Sequence, residues 1–350
     1  MTETSTQPLV IGVTGLNAID SPGPGVAVIR ALREGLGNVR IIGLAYESLE
    51  PGAYLHDWVD KTYHIPYPSA GVQALVERLE HIQTIEHMDV LIPNFDAELY
   101  NFIKVSAQLR LMGIHTFLPS HEQLDARDKL NLSAFGKKYN LHVPQSKNIH
   151  HANDLIKVAE ELNYPMVVKG RFYEAQVVYN IDQAKKAFYH LSARWGTPVI
   201  VQEFVKGTEI NVAALGNGQG NTLSIVPMRK LYITDKGKAW AGITIQDDSL
   251  LQVARDFTQA THWRGGFELE IMRDNNGKLF IMEVNPRFPA WIYLTAAAGQ
   301  NQPAALVKMA LGQPVEPFTD YKVGKIFIRY AWDHVTDVSE FQQLSAFGEL

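Results

Sequence analysis

The feature that constrains this chain most is a pair of apolar segments that carry acidic residues and meet at a tight turn. Residues 267–273 and 278–284 flank Asn275-Asn276-Gly277, a sequence typical of a hairpin turn. We therefore predict two antiparallel strands here, with side chains that alternate between the two faces of a sheet.

The polar side chains of this hairpin predict a metal site. Alternation puts Glu268 and Glu270 on one face, and the hairpin brings Glu270 close to Glu283, which shares a face with Asn285. Two carboxylates and an amide oxygen are hard donors that suit Mg²⁺. Arg287, just beyond the strand, can bind an anionic substrate or a phosphoryl group bidentately. The alternative is a surface hairpin with solvated acids, but the flanking residues are apolar and inward-facing acids need a cation.

Two lysines stand where ligands for phosphate are expected. An apolar strand, residues 164–169, ends in Lys169, and Lys129 follows an acidic stretch where we predict that a helix begins, near Asp128. Each lysine taken alone is better explained as a solvent-facing side chain. Arg229-Lys230 follows the predicted strand 222–228. A contact with phosphate or carboxylate and a solvent-facing strand end explain this pair equally well.

A third polar group follows the apolar run at 199–202. The backbone of Glu203, Phe204 and Val205 suits the Watson–Crick edge of an adenine, with apolar side chains around the ring. Glu203 can accept from the exocyclic amine, and Glu209 can bind ribose hydroxyls or face a lysine. The alternative is an ordinary amphipathic strand.

The order of strands and helices predicts three parts. Strands at 9–14, 39–45, 89–93 and 114–118 alternate with helices, which indicates a parallel α/β sheet. The predicted parts are an α/β domain (1–119), connecting helices with a small α+β lobe (120–204), and a strand-rich lobe (205–350).

Composition excludes several classes of function. The 350 residues include no cysteine, which rules out disulfides, a thiolate nucleophile and cysteine-ligated metals. The formal net charge of −5 argues against nucleic-acid binding. No apolar run is long enough to span a bilayer, and the polar start lacks a signal core, so we expect a cytoplasmic protein.

Taken together, these groups resemble the ATP-grasp superfamily, in the branch of biotin carboxylase and the carbamoyl-phosphate synthase large subunit. The resemblance covers the chain to about residue 312 and rests on residues that occur in the family's order: Lys129, Lys169, Glu203 to Val205, Glu209, Glu270, Glu283, Asn285 and Arg287. It implies an α/β domain followed by a two-lobed ATP-grasp fold, with a nucleotide held between the lobes. It also implies that the lysines contact phosphates, that Glu203, Phe204 and Val205 contact adenine, and that Glu270, Glu283 and Asn285 hold Mg²⁺ or Mn²⁺. Whether Glu268 rather than Glu270 is the first metal ligand is left open.

The chain departs from the family pattern in the loop after Lys169. Family members usually carry a loop rich in glycine and serine there, whereas residues 170–176 read Gly-Arg-Phe-Tyr-Glu-Ala-Gln. Backbone amides are therefore poor phosphate ligands here, and Arg171 can substitute. Alternatively, Phe172 and Tyr173 contact substrate or pack the lid. In the family the first domain helps to bind the other substrate, so six polar residues are candidates for an acceptor pocket: Asn17, Asp20, Ser21, Asn94, Asp96 and Glu98.

We predict an ATP- and Mg²⁺-dependent ligase that joins a small-molecule carboxylate to an amine through an acyl phosphate. One alternative is a regulatory protein that binds ATP but has lost turnover. The other is a bicarbonate-activating, carboxylase-like enzyme that needs a partner. The identity of the acid and of the amine is left open, and so is the oligomeric state, although dimers are common among such enzymes.

Overall fold

The computed structural model describes residues 7–19, 21–171 and 174–350. The chain divides into two units. Unit 1 consists of Met1–His121, Asn211–Glu268 and Asn285–Leu350, and unit 2 of Glu122–Ile210 and Leu269–Val284. The three-part division at residues 119 and 204 follows different boundaries and stays a prediction.

Unit 1 begins with a four-stranded parallel sheet in the order β3-β2-β1-β4. Its strands and helices are β1 (Leu9–Val13), α1 (Pro24–Leu36), β2 (Val39–Ala45), β3 (Lys61–His64), α2 (Val72–Glu86), β4 (Val90–Ile92) and α3 (Asp96–Leu111). The predicted alternation is confirmed. The strand predicted at 114–118 is wrong, because only His115 makes a bridge there, to Val90. β3 was not predicted, because it has four residues and polar ends.

Glycine makes the tight connection from β1 to α1 feasible. A Cβ on Gly25 would lie 2.3 Å from the carbonyl oxygen of Thr14, and Gly15 has a φ of +84°. Any other residue would therefore clash or be strained at these two positions. This packing explains the two glycines between β1 and α1.

A buried carboxyl group lies beyond the end of β2. Glu50 is 4% exposed; one of its oxygens accepts from the backbone N–H of Tyr46 at 2.7 Å, and the other has no hydrogen-bond partner among the described residues. Burial raises the pKa of Glu50 to about 7, and the neighbouring carboxylates of Glu47 and Glu98 add to the rise. Glu50 is therefore largely protonated in the folded protein under mildly acidic conditions.

We expect the variant Glu50→Gln to be more stable than the parent protein at pH 8, by about 3 kcal/mol. Between the ordinary pKa of a glutamate and about 7, the folded state holds a proton that the unfolded state has lost, so stability falls as pH rises. An amide has no such loss. Urea unfolding between pH 4 and 8 measures this, and the two proteins should converge at the acid end. An unchanged stability difference across that range would contradict the prediction.

Unit 2 contains a second sheet, in the order β5-β8-β6-β7, whose paired strands are antiparallel. Its elements in chain order are α4 (His121–Ala126), α5 (Leu132–Tyr139), β5 (Ser146–Ile149), α6 (Asp154–Leu162), β6 (Met166–Lys169), β7 (Ala175–Val178), α7 (Ile181–Trp195) and β8 (Val199–Glu203). Apolar residues of α6 and α7, among them Leu155 and Phe188, form its core with the sheet.

The helix predicted to begin near Asp128 begins instead at Leu132. The Asp128 carboxylate accepts from the backbone N–H of Leu130 at 2.9 Å, and its carbonyl accepts from Asn131 at 2.7 Å. These bonds stabilise a turn in place of the first helical turn. Lys129 therefore lies in a turn that precedes α5.

The third sheet has six strands in the order β13-β12-β9-β10-β11-β14. The remaining elements are β9 (Gly207–Asn217), β10 (Thr222–Ile233), β11 (Ala239–Thr244), α8 (Asp248–Thr261), β12 (Arg264–Asp274), β13 (Leu279–Asn285), α9 (Tyr293–Ala297), α10 (Gln302–Ala310), β14 (Ile326–Ile328) and α11 (Val338–Phe347). The acidic hairpin is confirmed: the N–H of Asp274 donates to Lys278 at 2.9 Å, and Gly277 has a φ of +84°. The predicted fold class, a parallel α/β sheet followed by α+β lobes, is confirmed. Among the described residues, no helix has the length and apolar character to cross a membrane.

Candidate active site

Lys169 stands at the end of β6 in unit 2, as the sequence predicts. Its ammonium group donates to the side-chain oxygen of Gln202 on β8 at 3.0 Å, and Gln202 is itself buried. Burial lowers the pKa of Lys169 to about 8; Lys129 lowers it further, while Glu283 and Glu270 raise it. At neutral pH the side chain is a poorly hydrated cation, which favours contact with an anion.

Lys129 lies within the same unit and forms an ion pair with the acidic hairpin. Its Nζ is 3.1 Å from Oε1 of Glu283, and both side chains are about three-quarters buried. Two lysines and two carboxylates, those of Glu270 and Glu283, therefore act on one another within unit 2. Lysines can bind phosphate oxygens and carboxylates can bind a divalent cation, so this combination suits phosphate groups accompanied by a metal ion.

Gly170, Arg171 and Glu174, in the loop after Lys169, make one backbone hydrogen bond and several ion pairs. The N–H of Gly170 donates to the carbonyl of Glu174 at 3.1 Å, and the guanidinium of Arg171 is 3.2 Å from a carboxylate oxygen of Asp128. The Glu174 carboxylate pairs with Arg194 and lies 3.3 Å from the ring of His190, both on α7. Arg171 thus stands beside the turn that carries Lys129. Phe172 and Tyr173, considered as substrate contacts, are outside the described residues.

The predicted adenine segment follows β8. The carboxylate of Glu203 accepts from the backbone N–H of Gln145 at 3.2 Å, and the Glu203 N–H donates to the Gln145 carbonyl at 2.9 Å. Phe204 is half-buried and Val205 buried, and Glu209 is partly buried on β9. The role of this segment in binding adenine stays a prediction.

Asn285 and Glu268 form a buried polar cluster in unit 1. Oε2 of Glu268 accepts from Nδ2 of Asn285 at 3.0 Å, and Oε1 accepts from Asn211 at 2.8 Å and from the indole N–H of Trp291 at 2.7 Å. All four residues are at most 6% exposed. Asn285 is thereby held through its amide nitrogen. We call Glu268, Asn285, Asn211 and Trp291 the Glu268 cluster.

Sequence reasoning left open whether Glu268 or Glu270 is the first metal ligand, and it missed Asn211 and Trp291. Both oxygens of Glu268 accept hydrogen bonds from N–H donors, whereas the charge of Glu270 raises the pKa of Lys169. The two carboxylates therefore have different surroundings. The sequence did contain one signal for these partners. Glu268 lies on an apolar strand two residues before Glu270, and a buried carboxylate needs hydrogen-bond donors around it.

Arg287 has an acidic partner within unit 1. Its Nε lies 2.8 Å from Oδ1 of Asp96, at the start of α3, and one terminal nitrogen donates to the carbonyl of Phe288. A second arginine, Arg329, was missed: its guanidinium donates to Ser21, and burial lowers its pKa to about 10 while Glu268 raises it. Arg329 follows β14 and lies well beyond Arg287, the last residue of the pattern that resembles the ATP-grasp superfamily.

The residues considered for an acceptor pocket are placed at the carboxyl ends of β1 and β4. Glu98 is 1% exposed and accepts from Thr14 at 2.5 Å and from the N–H of Asn94 at 2.6 Å. Asn94 is fully buried. Burial raises the pKa of Glu98. Asn17 and Ser21 lie in the loop after β1, and Asp20 is outside the described residues.

The donors within unit 2 fit the group that the prediction requires. Glu270 and Glu283 supply hard oxygen atoms, and Lys129 and Lys169 supply cations. Asn285 stays a predicted third ligand. Within residues 7–19, 21–171 and 174–350, no set of three or more His, Cys, Asp or Glu side chains is arranged to hold a metal ion. The Lys230 ammonium donates to the carbonyl of Gly237, within the β10–β11 hairpin.

Known proteins resemble this chain in sequence at low identity. The carbamoyl phosphate synthase large chain of Pasteurella multocida is 19% identical over 228 residues, which are 61% of this chain and 21% of that protein. The arginine-specific large chain of Lactiplantibacillus plantarum is 23% identical over 276 residues, 69% of this chain and 27% of that protein. The chain thus spans about a quarter of the length of these curated relatives.

Solved structures resemble the chain over most of its length. Biotin carboxylase of Campylobacter jejuni has a TM-score of 0.70 at 17% identity and covers 91% of this chain and 74% of its own. A family model described as "ATP-grasp in the biosynthetic pathway with Ter operon" matches residues 196–327, which include the acidic hairpin. Residues 196–327 thus match an ATP-grasp family model, and the solved structures show that the chain has a similar fold. N5-carboxyaminoimidazole synthetase of Staphylococcus aureus also matches the chain, with a TM-score of 0.66 at 14% identity over 93% of this chain and 83% of its own.

The solved structures confirm the predicted fold, and residues 196–327 match the predicted ATP-grasp superfamily. The activity of an ATP-dependent ligase stays a proposal for this chain. One structural neighbour is the biotin carboxylase domain dimer of a 2-oxoglutarate carboxylase from Hydrogenobacter thermophilus, solved with MgADP and bicarbonate. It has a TM-score of 0.68 at 16% identity and covers 91% of this chain and 72% of its own. The roles of individual residues stay predictions.

Proposed function

We propose that this protein is an ATP- and Mg²⁺-dependent ligase that joins a small-molecule carboxylate to an amine. The observation that supports this most directly is the charge arrangement in unit 2. Lys169 is buried beside Gln202, and its pKa responds to Lys129, Glu283 and Glu270. Two cations and two carboxylates that influence one another suit the phosphates of a nucleotide and the metal that accompanies them.

The proposed reaction has two steps. A carboxylate oxygen of the acid attacks the γ-phosphorus of ATP, the bond from that phosphorus to the bridging oxygen breaks, and ADP leaves. The amine nitrogen then attacks the carbonyl carbon of the acyl phosphate, the bond to the phosphate oxygen breaks, and the nitrogen loses a proton. The protein contributes position and charge neutralisation in both steps.

Each residue has a role in the proposal. Lys129 and Lys169 bind phosphate oxygens, and Arg171 replaces the backbone amides of a glycine-rich loop. Glu203, Phe204 and Val205 bind the adenine and Glu209 the ribose, while Arg287 binds the carboxylate of the substrate. Glu270, Glu283 and Asn285 hold Mg²⁺, which neutralises phosphate charge when bound. Mn²⁺ has the same preference for oxygen and is included in the proposal.

The test is an assay of ADP release with pools of small acids and amines. We expect release to require ATP, Mg²⁺, an acid and an amine together, with one phosphate formed for each ADP and a condensed product in mass spectra. ADP release with bicarbonate, in the absence of any amine, would instead favour the carboxylase-like alternative. We place the reaction in the cytoplasm, because ligation of this kind consumes ATP.

The loop after Lys169 is the observation that favours a second candidate, a regulatory ATP-binding protein. It contains one glycine, and its Arg171 and Glu174 are engaged in ion pairs with Asp128 and Arg194. Such a loop can hold a nucleotide without supporting transfer. Thermal stabilisation by Mg-ATP, with no ADP release across the pools, would favour this second candidate over the ligase.

A further inference from the structure

Strand β14 lies at one end of the six-stranded sheet. Among the described residues its one neighbouring strand is β11, to which it is antiparallel. The N–H of Arg329 donates to Trp240 and the carbonyl of Lys325 accepts from Thr244, both at 2.9 Å. Since hydrogen-bonding direction alternates along a strand, the backbone groups of Ile326 and Ile328 point away from the sheet. This edge can accept another strand.

One face of the sheet beside this edge carries exposed apolar side chains. Register places Tyr232, Ala241 and Ile328 in one row, and Arg229, Ile243 and Ile326 in the next. Ile326 is 52% exposed, Ile328 73% and Tyr232 66%. The next side chains, Tyr330 and Trp332, have ring centroids 4.9 Å apart at a tilt of 57° and are similarly exposed.

We call the five side chains Tyr232, Ile326, Ile328, Tyr330 and Trp332 the β14 patch. Together they expose on the order of 700 Å², close to the roughly 800 Å² that each partner contributes to a standard protein interface. An apolar patch of that size is unusual for a surface that faces water alone.

Charge on either side of β14 is arranged head to tail. Lys322 and Lys325 precede the strand, Asp333 and Asp337 follow it, and all four are exposed. An antiparallel copy of the same segment would bring the basic end beside the acidic end at both sides of the contact. The segment is therefore complementary to itself.

We propose that a second copy of this chain binds here, through antiparallel pairing of β14 with β14 of the partner subunit around a two-fold axis. Such a contact is isologous and closes after two copies. In the proposed register Ile328 faces Ile328 of the partner subunit, and Ile326 faces Tyr330 of the partner subunit. A shift of one residue would place Lys325 opposite Arg329 of the partner subunit, which like charges disfavour.

The mass of the protein in solution tests the contact. We expect light scattering to give twice the chain mass for the parent protein and the single chain mass for Ile328→Lys, which places a charge on the two-fold axis. Leu111→Lys is the matched control, because Leu111 is 89% exposed at the end of α3, and it should stay dimeric. A monomeric parent protein, or a dimer that survives Ile328→Lys, would overturn the proposal.

The lack of cysteine makes the register testable as well. Paired residues on a two-fold axis have Cα atoms about 5.5 Å apart, within the range that a disulfide spans. We expect Ile328→Cys to form a covalent dimer on mild oxidation and Leu111→Cys to remain uncrosslinked. Crosslinking of both variants alike, or of Leu111→Cys alone, would show that the copies do not meet at β14.

Discussion

Replacing Glu283 with alanine is expected to lower Mg²⁺-dependent ATP turnover by about 10³-fold or more, since metal-assisted charge stabilisation contributes several kcal/mol. The carboxylate is 3.1 Å from the ammonium group of Lys129 and raises the pKa of Lys169. Its removal therefore takes away a metal ligand and leaves two neighbouring lysines with less opposing charge. Turnover at a series of Mg²⁺ concentrations measures the effect, and excess metal should restore little of it.

A control is needed that removes an acid of the same unit without touching this charge arrangement. Glu160 is exposed on α6, and Glu160→Ala should keep the parent rate and the parent dependence on Mg²⁺. Calorimetric titration with Mg-ADP supplies a measurement besides activity, and Glu283→Ala should bind it more weakly. Parent-like turnover in Glu283→Ala would remove the metal assignment, whatever the substrate proves to be.

The parts of this site that sequence could predict are those that rest on local rules. The acidic hairpin follows from strand alternation and from Asn275-Asn276-Gly277, and Lys169 follows from an apolar strand that ends in a cation. Both depend on neighbours in the chain. β2 was predicted to the residue, because Val39–Ala45 is mostly apolar and follows Gly37 and Asn38.

The parts that could not be predicted depend on contacts between distant segments. Asn211, Trp291 and Arg329 come from separate elements, and no spacing rule connects them with Glu268. The helix placed at Lys129 failed for a local reason, because the carboxylate of Asp128 competes for backbone N–H groups. A pattern of apolar residues does not predict where a side chain will take a backbone N–H group away from a helix.

Glu268→Ala is expected to cost about 3–5 kcal/mol of unfolding free energy, the loss typical of breaking a buried charged network. The substitution strands three buried N–H donors, on Asn211, Asn285 and Trp291, none of which can reach water. Arg329 also loses the carboxylate that raises its pKa. Urea unfolding at neutral pH measures the change, and Glu316→Ala, an exposed glutamate of unit 1, should stay within about 0.5 kcal/mol of the parent protein.

Glu268→Gln separates stability from ligand positioning. The amide keeps the volume of the side chain but brings an N–H group into a cluster of donors, so Asn285 loses the fixed acceptor that orients it. We expect a smaller loss of stability than in Glu268→Ala, together with weaker stabilisation by Mg-ADP, since ligand stabilisation follows affinity. Glu268 would then act on the metal through Asn285, as second-layer partners of metal ligands do. Stabilisation by Mg-ADP equal to that of the parent protein would restrict the Glu268 cluster to a purely structural role.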